Sequence, residues 1–183
     1  RFDIRATSRN LRIRTQSPKQ ADWVQTLARL PFLNPPWLSC SAMRVSIIIP
    51  TQRRPAGLAI AVRSVLAQVQ IDPTQVELIV ADNDARPSAQ TLVEAVAASA
   101  PFPVTYVHVP EPGVANVRNG ALAVARGEWI AFLDDDQEAP SGWLAALLKA
   151  QADYGADVVF GPVLARAPQA DPAHRAYLEH FFS

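Results

Sequence analysis

Five short runs of apolar, mostly β-branched residues recur along the chain with helix-periodic segments between them. This alternation limits the possible folds more than any other feature. The runs are VSIIIP (Val45 to Pro50), VELIVA (Val76 to Ala81), VTYVHV (Val104 to Val109), WIAFL (Trp129 to Leu133) and DVVFGPV (Asp157 to Val163). Their apolar character is continuous rather than alternating, which predicts strands covered on both faces. Leu58, Val62, Val65, Leu66 and Val69 recur at helical spacing after the first run, and Ala89, Leu92, Val93 and Val96 after the second. Val114, Val117, Ala121 and Val124 repeat the pattern before the fourth, with Gly127 placed as a helix C-cap. Ser141 reads as the N-cap of a last helix that turns Trp143, Leu144, Leu147 and Leu148 inward and stops at Gly155. The order predicts an α/β domain, Rossmann-like, with a mainly parallel sheet and flanking helices. In such open sheets ligands bind beyond the carboxyl ends of the strands, so function is expected in the residues that follow each one.

The pattern begins at Met43, the only methionine of the 183 residues. Upstream, PFLNPPWLSCSA is broken by proline and sustains no period. Residues 1–42 are therefore expected to be a poorly structured basic leader outside a domain spanning 43–183. Arg5, Arg9, Arg12 and Arg14 leave open a second reading, a basic arm for an anionic membrane or partner. Seven Arg/Lys stand against two Asp in residues 1–42, and ten against fifteen acidic residues in 43–183. A net acidic domain argues against a nucleic-acid platform. A single cysteine, Cys40, excludes an internal disulfide and a thiolate metal cluster. No apolar run reaches the roughly 18 to 20 residues that span a bilayer, and the opening RFDIRATSRNLRIR lacks a signal-peptide core. A cytoplasmic location is expected, with the inner face of the membrane left open.

After the first strand comes PTQRRP, Pro50 to Pro55, with no glycine before Gly57. A G-x-G-x-x-G dinucleotide loop is thus excluded. Pro50 and Thr51 would instead form a stiff turn presenting a hydroxyl and backbone groups to a base or ribose, with Arg53 or Arg54 near phosphate; a solvated turn is the plain alternative. After the second strand comes DNDARP, where Asp82 and Asn83 suit either a turn or the edge of a base and ribose hydroxyls. The fourth strand runs into Asp134, Asp135 and Asp136. Extended geometry sends alternate side chains to opposite faces, so Asp134 and Asp136 would share one. Two hard oxygen donors with room for water and a diphosphate suit Mg²⁺ or Mn²⁺, which would also relieve the repulsion of three adjacent carboxylates. Arg118 and Asn119 lie in the helix before that strand, and Asn119-Gly120 in mid-helix points to a local purpose or to a close helix–sheet approach. His108, His174 and His180 have no metal-ligand spacing, and no nucleophile elbow is present.

Together, VSIIIPTQRRPAGLAIAVRSVLAQ, VELIVADND, NVRNGALAVARGEWIAFLDDD and PSGWLAALL resemble the family 2 glycosyltransferases of the GT-A fold, in the family's order and spacing from Met43 to about Val163. The resemblance implies transfer of a sugar from a nucleoside-diphosphate donor to an acceptor hydroxyl, inverting, with Mn²⁺ or Mg²⁺. It implies that Pro50 and Thr51 belong to the first nucleotide-contacting loop, Asp82 and Asn83 to the base-binding pair, and Arg118 to the nucleotide. It also implies that Asp134, Asp135 and Asp136 form the D-x-D element, the last ligating metal and the middle one touching ribose. Asn83 departs from the acid often found at its position. The acceptor, whether glycan, lipid or another hydroxyl, is not implied; cell-envelope polysaccharide biosynthesis is the expected setting.

A divalent ion on the phosphates would stabilise the leaving group, and inversion needs a carboxylate base on the acceptor side. That base is expected to be absent from this chain, since the family's acceptor half lies beyond AHRAYLEHFFS and Glu179 is too near the end to be assigned. The chain thus reads as a donor-binding portion, inactive or feebly active alone. Two alternatives compete: a Mg-dependent phosphohydrolase, disfavoured because Gln137 and Glu138 follow the aspartates, and a non-catalytic nucleotide-binding domain.

Overall fold

The computed structural model describes residues 3–7, 10–14, 44–167 and 170–181. The chain divides into two units, Arg1–Ser41 and Ala42–Ser183. In the first, strands β1 (Asp3–Thr7) and β2 (Asn10–Arg14) pair antiparallel from Asp3↔Arg14 to Thr7↔Asn10. The sequence predicts no element there; the remainder of the leader expectation, including Cys40, lies outside the described residues.

The second unit is built on a four-stranded parallel sheet of β3 (Val45–Thr51), β4 (Val76–Asp82), β5 (Val104–His108) and β6 (Trp129–Phe132), in the order β5-β4-β3-β6. Of the continuous apolar runs, VSIIIP and VELIVA lie at the centre, whereas VTYVHV and WIAFL form the two edges and are only partly buried, since an edge strand has a neighbour on one side alone. Ile47, Ile48, Ile49, Leu78, Ile79 and Val80 are wholly buried, because the sheet is covered on both sides. Alternate residues feed two cores. Ile47, Ile49, Leu78 and Val80 meet helix α1 (Pro55–Leu66) through Leu58, Val62 and Val65, α2 (Gln90–Ala97) through Val93, and α4 (Trp143–Tyr154) through Leu144. Ile48, Ile79 and Ala81 meet α3 (Val114–Leu122) on the opposite face through Val117 and Ala121. A further helix, α5 (Pro172–Phe181), follows.

Three expectations are corrected. Asp157 to Val163 forms no strand: Val158 is 66% and Phe160 90% exposed, and no described strand pairs with that side of β6. An extended segment without a ladder partner gains none of the hydrogen bonds that define a strand. Ser141 does not cap α4; Gly142 stands at the N-cap, and the Leu144 amide of the first turn is satisfied by Gln68 Oε1 at 2.9 Å from beyond the end of α1. Gly127 is not a helix cap, for α3 already ends at Leu122. It lies against β3 instead, where an added Cβ would come within 2.3 Å of the Ser46 nitrogen.

That contact belongs to an anchor at the amino-terminal ends of the strands. Glu77, 1% exposed, accepts from Ser46 Oγ at 2.6 Å, from the Arg126 amide at 2.8 Å, and from Arg126 Nε and Nη2 at 2.9 and 2.7 Å. Ser46 Oγ in turn accepts from the Gly127 amide at 2.8 Å. Burial works to raise the Glu77 pKa, but these donors outweigh it and hold the carboxyl below its usual range. The pairing ties the entry of β6 to β3 and β4.

Candidate nucleotide and metal site

The strand order sets the location. The chain steps outward from β3 to β4 to β5, then returns to the other side of β3 to lay down β6. A parallel sheet opens a crevice at such a reversal, beyond the carboxyl ends of the two strands that flank it. Here those ends carry Thr51 on β3 and Asp134 to Asp136 after β6.

The strand does not continue through the acidic segment: β6 ends at Phe132, and a turn closed by the Gln137 amide on the Asp134 carbonyl at 3.0 Å, not extended alternation, sets where the three carboxylates lie. Asp134 and Asp136 both line one open cleft of about 1300 Å³, bounded by β6, by Trp143 and Leu147 of α4, and by the segment 157–167. Asp135 turns the other way and is 7% exposed. Its Oδ2 accepts from Thr51 Oγ1 at 2.7 Å, and its Oδ1 from Arg54 Nη1 at 3.3 Å. Arg54 Nη1 also donates to Asp136 Oδ2 at 2.7 Å. Asp135, and then Asp136, hold the guanidinium still more firmly protonated than usual. Across the cleft, Arg118 Nη2 reaches Asp134 Oδ1 at 3.4 Å while its guanidinium lies 5.3 Å from the centre of the Phe132 ring. Arg118 Nε is buried and has no hydrogen-bond partner.

The loop after β4 is organised from within. Asp82 is completely buried. Its Oδ1 takes the Asp84 amide at 3.0 Å, and its Oδ2 takes the amides of Ser88 and Ala89 at 2.6 and 2.8 Å and the Tyr106 hydroxyl at 2.9 Å. Burial favours the neutral acid, yet the three amides and the phenol prevail and keep the Asp82 pKa below its ordinary value. The same burial, with the facing carboxylate second, pushes the Tyr106 phenol up. Asn83 is equally committed. It donates to the carbonyls of Val109 and Glu111 at 2.8 and 2.7 Å, and its Oδ1 accepts the Gly113 amide at 3.0 Å. In this structure both residues shape the rim rather than project from it. Arg53, at φ 57°, crosses from the first loop to the second and donates through Nε to Asp84 Oδ1 at 3.1 Å; Gln52 Nε2 reaches the Asn83 carbonyl at 3.1 Å.

The residues marked in the sequence thus converge on one rim, with Pro50 at its base in β3. Tyr106, Ser88 and Asp84 went unmarked because each is unremarkable by type and gains its role only through Asp82 or Arg53. Gly57 did carry a signal, as the first glycine after β3: an added Cβ there would lie 2.7 Å from the Asp135 carbonyl oxygen. Among the described residues no three His, Cys, Asp or Glu side chains converge as an all-protein metal cage. One or two carboxylates are nevertheless what Mg²⁺ or Mn²⁺ takes from a protein when phosphates and water supply the rest. Asp136 already receives a cationic group at hydrogen-bonding distance, so the donor set fits an ion held largely by a substrate's diphosphate.

The model of "Glycosyl transferase family 2" matches residues 46–182. The chain belongs to this family. Among family relatives, the succinoglycan biosynthesis protein ExoM of Rhizobium meliloti (strain 1021) is 41% identical over 123 residues, covering 67% of this chain and 40% of ExoM. A GalNAc(5)-diNAcBac-PP-undecaprenol beta-1,3-glucosyltransferase of Campylobacter jejuni is 30% identical over 122 residues, covering 66% of this chain and 38% of its own length. The fold is shared with S. aureus TarS 1-349 in complex with UDP (TM-score 0.57, 22% identity, 68% of this chain and 38% of TarS). It is shared too with the mannosyltransferase PcManGT of Pyrobaculum calidifontis in complex with GDP-Man and Mn²⁺ (TM-score 0.57, 23% identity, 69% and 36%). The chain therefore spans about 40% of the length of these two curated relatives. Neither the phosphohydrolase nor the non-catalytic alternative gains support from these similarities.

Proposed function

We propose that this chain forms the donor side of a glycosyltransferase that moves a sugar from a nucleoside diphosphate to an acceptor hydroxyl with inversion. The observation that carries the reading is the pairing of Asp134 and Asp136 on one cleft at the sheet's reversal point, in a family 2 chain. Asp136, with Asp134, would hold Mn²⁺ or Mg²⁺, which when bound supplies positive charge to the departing diphosphate. Arg118, at the cleft and only loosely paired at 3.4 Å, adds a second positive charge for the phosphates. Pro50 and Thr51 set the floor, with Asp135 held by Thr51 beside the ribose. Asp82 and Asn83 fix the loop along the base, and Arg53 braces it through Asp84.

No described residue is assigned as the general base; the Glu179 carboxylate accepts the Ala167 amide at 3.0 Å. By analogy with the succinoglycan and undecaprenol-linked relatives, the acceptor is a growing cell-envelope glycan or its lipid carrier, met at the cytoplasmic face of the membrane. Among the described residues no helix is long and apolar enough to cross a membrane.

Thermal unfolding of the chain with UDP and with GDP, each with and without Mn²⁺, tests the reading. At least one nucleotide should raise the midpoint only when Mn²⁺ is present, and Asp136→Asn should abolish the rise. Equal stabilisation without metal, or in the variant, would count against it.

A further inference from the structure

We infer that Arg54 is a resident counterion of the acidic loop and that a divalent cation reaches Asp136 by exchange with its guanidinium. The inference rests on the reading that Asp136 holds the cation and adds how the carboxylate is kept ready for it. Two features of the loop demand a counterion. Asp135 and Asp136 are adjacent in sequence, and Asp135 is nearly buried, where its charge is poorly screened. Arg54 Nη1 meets both, at 3.3 and 2.7 Å.

The two contacts are not equivalent. Asp135 has a second partner in Thr51 Oγ1 at 2.7 Å, whereas Arg54 supplies the ion pair of the exposed Asp136. The shorter contact is thus on the carboxylate assigned to the metal. A divalent cation on either oxygen of Asp136 would set its charge within a few ångströms of the guanidinium that Oδ2 now holds at 2.7 Å, and that repulsion favours release of Arg54.

The geometry also permits the guanidinium to leave. The backbone of Arg54 is fixed: its carbonyl accepts the Leu58 amide at 2.9 Å in the first turn of α1, and Pro55 follows at N1. Its side chain is 58% exposed, so it can swing out without uncovering the core. Arg54 thereby holds the acidic loop in its cation-free form and competes with the ion that displaces it.

The test is Mn²⁺ binding to the 183-residue chain without nucleotide, followed by the electron paramagnetic resonance signal of free Mn²⁺. Arg54→Gln should bind Mn²⁺ roughly two- to five-fold more tightly than wild type, as removal of an exposed competing ion pair allows. Arg54→Lys, which keeps the charge, should bind like wild type. A purely architectural role for Arg54 would weaken binding instead. A second measurement needs no variant: phenylglyoxal labelling of Arg54, read by mass spectrometry, should rise when Mn²⁺ is added to the wild-type chain. Unchanged or weaker Mn²⁺ binding by Arg54→Gln, or unchanged Arg54 labelling, overturns the inference if Asp136→Asn still removes uptake. If Asp136→Asn binds Mn²⁺ as wild type does, the assignment of the ion to Asp136 fails, and the exchange fails with it.

Discussion

Gly57 in the first turn of α1 sits under the carbonyl of Asp135, so close that a methyl group would stand 2.7 Å from its oxygen. The helix and the acidic loop are in backbone contact, and the loop's position depends on the missing side chain. Replacing a helical glycine with alanine ordinarily gains up to about 1 kcal/mol, and less in a first turn such as this. Here the obstacle is main chain and cannot rotate away, so overpacking at about 1–3 kcal/mol prevails. Gly57→Ala should lower the unfolding midpoint and erase Mn²⁺-dependent stabilisation by UDP or GDP, both read in one thermal titration. A variant that is more stable and binds normally would show that the loop yields easily.

The Glu77 anchor predicts a stability loss confined to acid. Because its folded pKa lies below the free value of 4.5, its contribution is complete above that value and disappears as pH falls through the folded one. Glu77→Gln should cost about 1–3 kcal/mol at pH 7, since buried donors lose a charged acceptor. It should also flatten the fall in stability below pH 4.5. Urea unfolding across pH 3–7, relative to wild type, measures both. Nucleotide binding should persist, for Ser46 and Glu77 lie at the opposite ends of the strands from Thr51 and Asp82.

Asp82→Asn would turn an amide group toward donors that now converge on the carboxylate. With three backbone amides and a phenol involved, the expected cost is about 2–4 kcal/mol. The Tyr106 phenol provides a specific readout. The facing carboxylate helps to push its pKa up, so in the variant it should ionise at lower pH, seen in ultraviolet titration. An unmoved Tyr106 would mean that burial alone sets its acidity.

Much of this was legible in the sequence because parallel strands buried on both faces have to be continuously apolar, as Ile47 to Ile49 and Leu78 to Val80 are. Gly120 is legible in part: a poor helix former in mid-helix marks a close approach, and a methyl of Val109, just beyond β5, lies 2.5 Å from the Cβ it lacks. The same logic over-reached at Asp157 to Val163, where apolar residues line a cleft without pairing into the sheet. Glu77 was invisible because a single carboxylate inside VELIVA carries no mark of its partner, Arg126, 49 positions away. For Asp82, residue type and position leave a turn and a ligand-facing acid both open, because its hydrogen bonds depend on a loop geometry that no local pattern encodes.

The order in which the strands lie also has a consequence for synthesis. A ribosome delivers the neighbours β3, β4 and β5 before β6, and these can pair as soon as they emerge. The edge strand that leads into the aspartates must then travel back past the finished strands to dock on the free edge of β3. Until it arrives, the nascent chain has a sheet but only half a pocket, so any mutation that slows the docking of Trp129–Phe132 should delay the appearance of ligand-binding competence more than the appearance of secondary structure.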